Sequence, residues 1–124
     1  MKDDRLYLID MLETSRRIQR RTQRMSRKEF EANEDVQLAL VYLLQTIGEA
    51  ARRVSSKTKS DFPRIPWPQI TGMRHGIVHD YSQVNYGVVW ETATQSIPQL
   101  IAELAPLVDP IIAEAKARKG KASA

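Results

Sequence analysis

The stretch "EDVQLALVYLLQTIGEAARRVS", residues 34–55, decides the fold. Val36, Leu40, Leu43, Ile47, Ala50 and Val54 recur at three- and four-residue spacing, and Ala39, Val41, Leu44 and Ala51 widen the stripe. That pattern is a helix apolar over much of its girth, which places it at the centre of a bundle against several neighbours or a second subunit. Asn33 stands before it as a cap, with Glu34 and Asp35 in the first turn and Arg52 and Arg53 in the last, where the helix dipole favours each sign. Gly48 is costly inside a helix on propensity alone and marks a close helix crossing.

Upstream, residues 4–25 read as a first helix with Leu8, Met11, Ser15, Ile18, Thr22 and Met25 along one face. Arg16, Arg17, Arg20, Arg21, Arg24, Arg27 and Lys28 follow on the other flank, with no acidic residue among them. Two readings stay open: a solvated face, or a surface for an anionic partner for which Arg16, Arg17, Arg20, Arg21 and Arg24 are the candidates. Ser26 and Glu29 form a capping-box pattern that starts a new helical segment.

Downstream, "SSKTKSDFPRIP", residues 55–66, reads as a loop. Trp67 and Pro68 open a third helix that carries the stretch "RHGIVHDY", residues 74–81. A last helix runs from near Asn85 towards Lys116, and Pro98, Pro106 and Pro110 should kink or interrupt it. Trp67 and Trp90 sit at apolar positions as core or interface anchors rather than stacking platforms for bases. No useful strand pattern and no internal repeat appear. The expectation is an all-α bundle of four or five helices over residues 1–117, followed by a basic, flexible tail at 118–124.

The 124 residues suit one domain with one modest core. The chain has no cysteine, which excludes disulfides and thiolate zinc sites. No signal-peptide layout or uninterrupted apolar span is read from the sequence, so a cytoplasmic protein is expected. A net charge of +4 favours an anionic partner only modestly.

Both histidines of the chain lie within residues 74–81, beside Arg74, Asp80 and Tyr81. "LLQTIGEAARRVS", "FPRIPWPQITGMRHGIVHDY" and "VVWETATQSIPQL" resemble the HepT-like family of the HEPN superfamily. The likeness covers roughly residues 5–104, and the family's R-x4-H-x-Y motif falls on Arg74, His79 and Tyr81. His75 departs from the asparagine or other polar residue usual after the arginine. The resemblance implies an up-and-down homodimer with the motif facing a cleft between subunits. It also implies metal-independent RNA cleavage by a toxin, with no cofactor, catalysed by Arg74 and His79. The implied partner is a nucleotidyltransferase antitoxin of the MntA type, able to silence the toxin by transferring AMP to Tyr81.

The chemistry suits these residue types. Cleavage through the neighbouring 2′-hydroxyl needs a base, an acid for the leaving 5′-oxygen and a cation for the phosphorane. Histidine titrates near ~6.5 and serves as base or acid, and arginine offers a charged fork to phosphate oxygens. On an ideal helix Arg74 and His79 diverge by about 140°, while Arg74 aligns with Tyr81 and His75 with His79. Either the helix loosens after Gly76, or a twofold axis brings the pair from each subunit together; the second also supplies acid and base at once. The competing readings are a structural His79, an Arg74 paired to Asp80, a core Tyr81, and a metal held by His75, His79 and Asp80. The metal reading lacks an H-E-x-x-H helper. His75 and Asp80 are therefore expected in supporting roles. A non-catalytic helical dimer that binds RNA or scaffolds a nucleotidyltransferase is the alternative function.

Overall fold

The computed structural model describes residues 4–73, 77–80 and 83–123, with backbone alone at 78–80 and 121–123. The central helix, α3 (Glu34–Arg53), has the boundaries its caps predict, and the Asn33 side chain accepts from the Val36 N–H at 3.1 Å. Leu40, Leu44 and Ile47 are fully buried, a burial that contributes about 2 kcal/mol for each such side chain. α1 (Asp4–Thr22) packs antiparallel against α3, its first residue meeting the far end of α3 where Thr58 donates to Asp4 at 2.6 Å. Ser15 and Thr22 interrupt the apolar stripe of α1 at no cost, because each hydroxyl donates to a carbonyl one turn back in its own helix. The first helix stops at Thr22 rather than 25. The chain then turns into the Ser26/Glu29 capping box, present in both directions, which starts α2 (Arg27–Glu31).

Residues 55–66 are less irregular than the sequence reading has them. Ser55 caps a short helix, α4 (Ser56–Asp61), despite a composition that reads as loop. Trp67 and Pro68 do open α5 (Trp67–Thr71). Trp67 is a core anchor whose indole N–H donates to the Phe62 carbonyl at 3.0 Å. α5 crosses α3 at Gly48, where a Cβ would stand 3.1 Å from the Ile70 carbonyl oxygen.

Two expectations fail here, both around residues 77–84. α5 ends at Thr71 and does not carry residues 78–80. Instead β1 (Val78–Asp80) pairs antiparallel with β2 (Gln83–Val84), so the bundle carries a small ribbon that the sequence does not announce. Three or two residues are too few for a period-two pattern to stand out.

The last helix also differs. α6 (Tyr86–Glu91) passes through a π-helical turn (Thr92–Ser96) into α7 (Ile97–Ser123). The Ile97 N–H reaches back five residues to the Thr92 carbonyl, so the widened turn falls just before Pro98, where an ordinary α-turn would meet the proline ring. Pro106 and Pro110 lie inside α7 without ending it. By length and composition the run Tyr86–Gly120 could cross a bilayer. Yet Ile97, Leu100, Leu104 and Val108 face the core, and α7 packs along α1. Ile101, Leu107 and Ile112 remain only partly covered.

Because the crossing partner is backbone, a large side chain at 48 has nowhere to go. Gly48→Leu should destabilise by about 1–3 kcal/mol through overpacking, against the gain in helix propensity. Chemical denaturation checks this through a lower midpoint at an unchanged slope; an equal or higher midpoint would contradict the crossing.

Candidate functional site

Ile77 is helical and only 1% exposed, and it fixes the start of the ribbon in the core. The next three residues, Val78, His79 and Asp80, leave helical geometry and form β1. Val78 faces Val84 and Asp80 faces Gln83, so β1 advances two residues where β2 advances one. His79 is the extra residue, at a β-bulge. Bulges bend a strand, leave one residue outside the ladder and recur beside active sites, where they re-aim a side chain. The helical-wheel angle between Arg74 and His79 therefore does not apply, because the chain departs from helix between them.

Asn85 closes the base of the ribbon. Its backbone N–H donates to the Ile77 carbonyl at 2.9 Å, and its side chain accepts from the Val88 N–H at 3.1 Å as the cap of α6. One residue thus ties the exit of the ribbon to its entrance and starts the following helix. Between the segment that precedes the ribbon and the helices that follow it lies a cleft of about 720 Å³, walled on one side by Gln69 and Met73 and on the other by Val88, Thr92, Ser96 and Gln99. Met73 directly precedes Arg74. The π-helical turn gives the second wall its Thr92 and Ser96.

Of the candidates read from the sequence, His79 and Asp80 are both on β1, while Arg74, His75 and Tyr81 lie outside the described residues. The basic flank splits. Arg16 grips Asp109 of α7 with two hydrogen bonds of 2.8 Å, which hold the Asp109 carboxyl below its usual range. Arg27 pairs with Glu31 at 3.1 Å. Arg17, Arg20, Arg21, Arg24 and Lys28 are exposed and form no ion pair with the described residues. The expectation of a flank wholly without acidic partners is thus corrected at Arg16 and Arg27. The sequence reading left unassigned the Asn85 tie and the polar cleft walls. A signal for the first exists: the β-branched pair Ile77–Val78 and the short run Gln83–Val84, separated by polar residues.

Residues 11–107 match the family model described as ribonuclease HepT-like. The chain belongs to the HepT-like ribonuclease family. A protein of Methanocaldococcus jannaschii named "Putative RNase" is 34% identical over 110 residues, spanning 89% of this chain and 91% of its own. One of the same name from Caldanaerobacter subterraneus subsp. tengcongensis is 33% identical over 100 residues, covering 81% and 89%. "Probable ribonuclease HepT" of Thermococcus cleftensis is 32% identical over 94 residues, covering 76% and 86%. No solved structure shows a significant match. In this HepT-like chain the family match takes in the central helix, the ribbon and the cleft, and ends within α7.

The Asn85 tie has a measurable consequence. Asn85→Ala keeps the backbone N–H to the Ile77 carbonyl but should cost about 1 kcal/mol through the lost cap and lower RNA cleavage by fraying the first turn of the helix that continues the ribbon, whereas Asn85→Asp keeps the cap. Thermal melts and cleavage rates on the two variants check this; an alanine variant with native stability and rate would contradict it.

Proposed function

We propose that this HepT-like chain is the toxin of a toxin–antitoxin pair, a metal-independent endoribonuclease acting through Arg74 and His79. The observation that supports this best is the position of His79: an extra residue at a bulge, on a ribbon tied at its base by Asn85, in a chain whose flanking segments wall a cleft of about 720 Å³. A pocket of that size suits a nucleotide-sized ligand. In the proposed reaction His79 takes the proton of the RNA 2′-hydroxyl, whose oxygen attacks the adjacent phosphorus. The Arg74 guanidinium stabilises the charge on the phosphorane oxygens. The bond to the 5′-oxygen then breaks, and that oxygen leaves with a proton. A single histidine cannot donate and accept in the same instant, so a homodimer with both motifs in one cleft supplies the second. The partly covered Ile101, Leu107 and Ile112 of α7 give a second copy apolar surface to cover.

Regulation follows from the same stretch. A nucleotidyltransferase antitoxin transfers AMP from ATP to the Tyr81 oxygen, and pyrophosphate leaves. The added phosphodiester brings negative charge, and the adenosine brings bulk, to the motif that must receive RNA phosphate. The phenol itself, with a pKa near ~10, is a poor base at neutral pH and is not needed for cleavage.

Expression of the protein alone and with its nucleotidyltransferase tests the whole reading. Arg74→Ala and His79→Ala should each cut RNA cleavage by roughly a hundredfold or more without loss of fold. Tyr81→Phe should cleave RNA and escape adenylylation by the partner, read by intact mass. A folded His79→Ala protein with full activity would overturn the mechanism, whereas a folded wild-type protein that binds RNA without cutting it would favour the non-catalytic dimer. An adduct mapping away from Tyr81 would overturn the switch.

A further inference from the structure

Arg17, Arg20 and Arg21 recur at three- and four-residue spacing on the side of α1 opposite its buried stripe, so they line one ridge, and Arg24 follows in the turn that leaves the helix. Residues four apart advance about 6 Å along the axis. All four are exposed, and none is neutralised by an acid among the described residues, in contrast to Arg16, whose charge Asp109 consumes. Like charges held this close repel one another, and no acidic side chain among the described residues relieves them.

The ridge does not end with α1. The capping box turns the chain so that Arg27 and Lys28 open α2, and Phe30 clamps α2 onto α6 by packing on Trp90, with ring centroids 5.0 Å apart. This places the Arg27 Nη2 atom 3.5 Å from where a Cβ on Gly87 would stand. Gly87 lies in the first turn of α6, three residues past Val84 of β2. The cations therefore run along α1, across α2, and reach the helix that springs from the ribbon bearing His79. Glu31 occupies the Nε of Arg27, which leaves its Nη2 edge towards Gly87.

We infer that this ridge is an RNA-backbone track, sequence-independent, that delivers a single strand to the His79 ribbon, with Arg27 as its last phosphate contact. The inference rests on the ribonuclease reading above for its destination, but the binding stands on the ridge alone. Arginine suits the role because its planar fork takes phosphate oxygens in pairs. Counterions released from the strand make such binding salt-dependent in proportion to the phosphates neutralised.

The test uses full-length His79→Ala protein, to prevent cleavage, and a labelled single-stranded RNA titrated at several salt concentrations. Replacing Arg17, Arg20, Arg21 and Arg24 together by glutamine should reduce the slope of log Kobs against log salt by about 3, at about 0.7 per lost contact. Arg27→Gln should reduce it by about 0.7, and Arg16→Ala should leave it unchanged. Circular dichroism confirms the fold of each variant. In the protein with His79 intact, the quadruple change should raise KM for long RNA and spare kcat. An unchanged slope in the folded quadruple variant overturns the track, and so does a variant that keeps its RNA slope while losing its antitoxin, since the ridge would then dock protein. A wild-type protein that binds RNA through the ridge yet never cuts it overturns the ribonuclease reading while the track survives.

Discussion

A Cβ at position 48 would stand 3.1 Å from the Ile70 carbonyl, so α3 admits α5 this closely only because residue 48 is glycine. The contact is helix surface against backbone, and backbone has no rotamer with which to yield. It fixes the height of α5 along the central helix of the bundle, and so the point from which the chain climbs towards the motif. Trp67 holds the start of α5 in the core with its indole N–H satisfied, and Ile77 is buried at the entrance to the ribbon. Both ends of the path to the ribbon are thus anchored in the core.

What the chain does at the end of that path is leave helix. A bulged two-strand ribbon is a poor structure in isolation, since its ladder is short and interrupted by the bulge. Here it is held at its base by the Asn85 to Ile77 hydrogen bond, and it is continued by a helix whose first turn the same residue caps. The long C-terminal helix tolerates three prolines by two means: a π-helical turn directly ahead of Pro98, and packing strong enough to carry Pro106 and Pro110 without a break. The turn also brings Thr92 and Ser96 to the cleft wall, so an accommodation of proline shapes the space beside the motif.

The bundle was readable because its determinants are periodic and local. The stripe of α3, the Asn33 cap, the Ser26/Glu29 capping box and the glycine crossing each express a rule that acts within one or two turns. The ribbon was not, because β1 and β2 together have five residues and their pairing is a tertiary fact. An ideal helix drawn through Arg74 and His79 therefore does not apply, because the chain leaves helical geometry after Ile77. The partition of the basic flank was hidden for the same reason, since Asp109 lies 93 residues from Arg16 in sequence. The family, by contrast, was legible from the sequence, and the family match over residues 11–107 agrees with it.

The central claim joins the bulged His79 to a reaction in which RNA supplies its own nucleophile. The chemical identity of the cleaved ends tests that claim most directly, measured by mass spectrometry on RNA digested in excess EDTA. Attack by the 2′-hydroxyl leaves a 2′,3′-cyclic phosphate on one fragment and a 5′-hydroxyl on the other, and it proceeds without added metal. Fragments ending in a 3′-hydroxyl and a 5′-phosphate, or cleavage that returns only with a divalent cation, would contradict it.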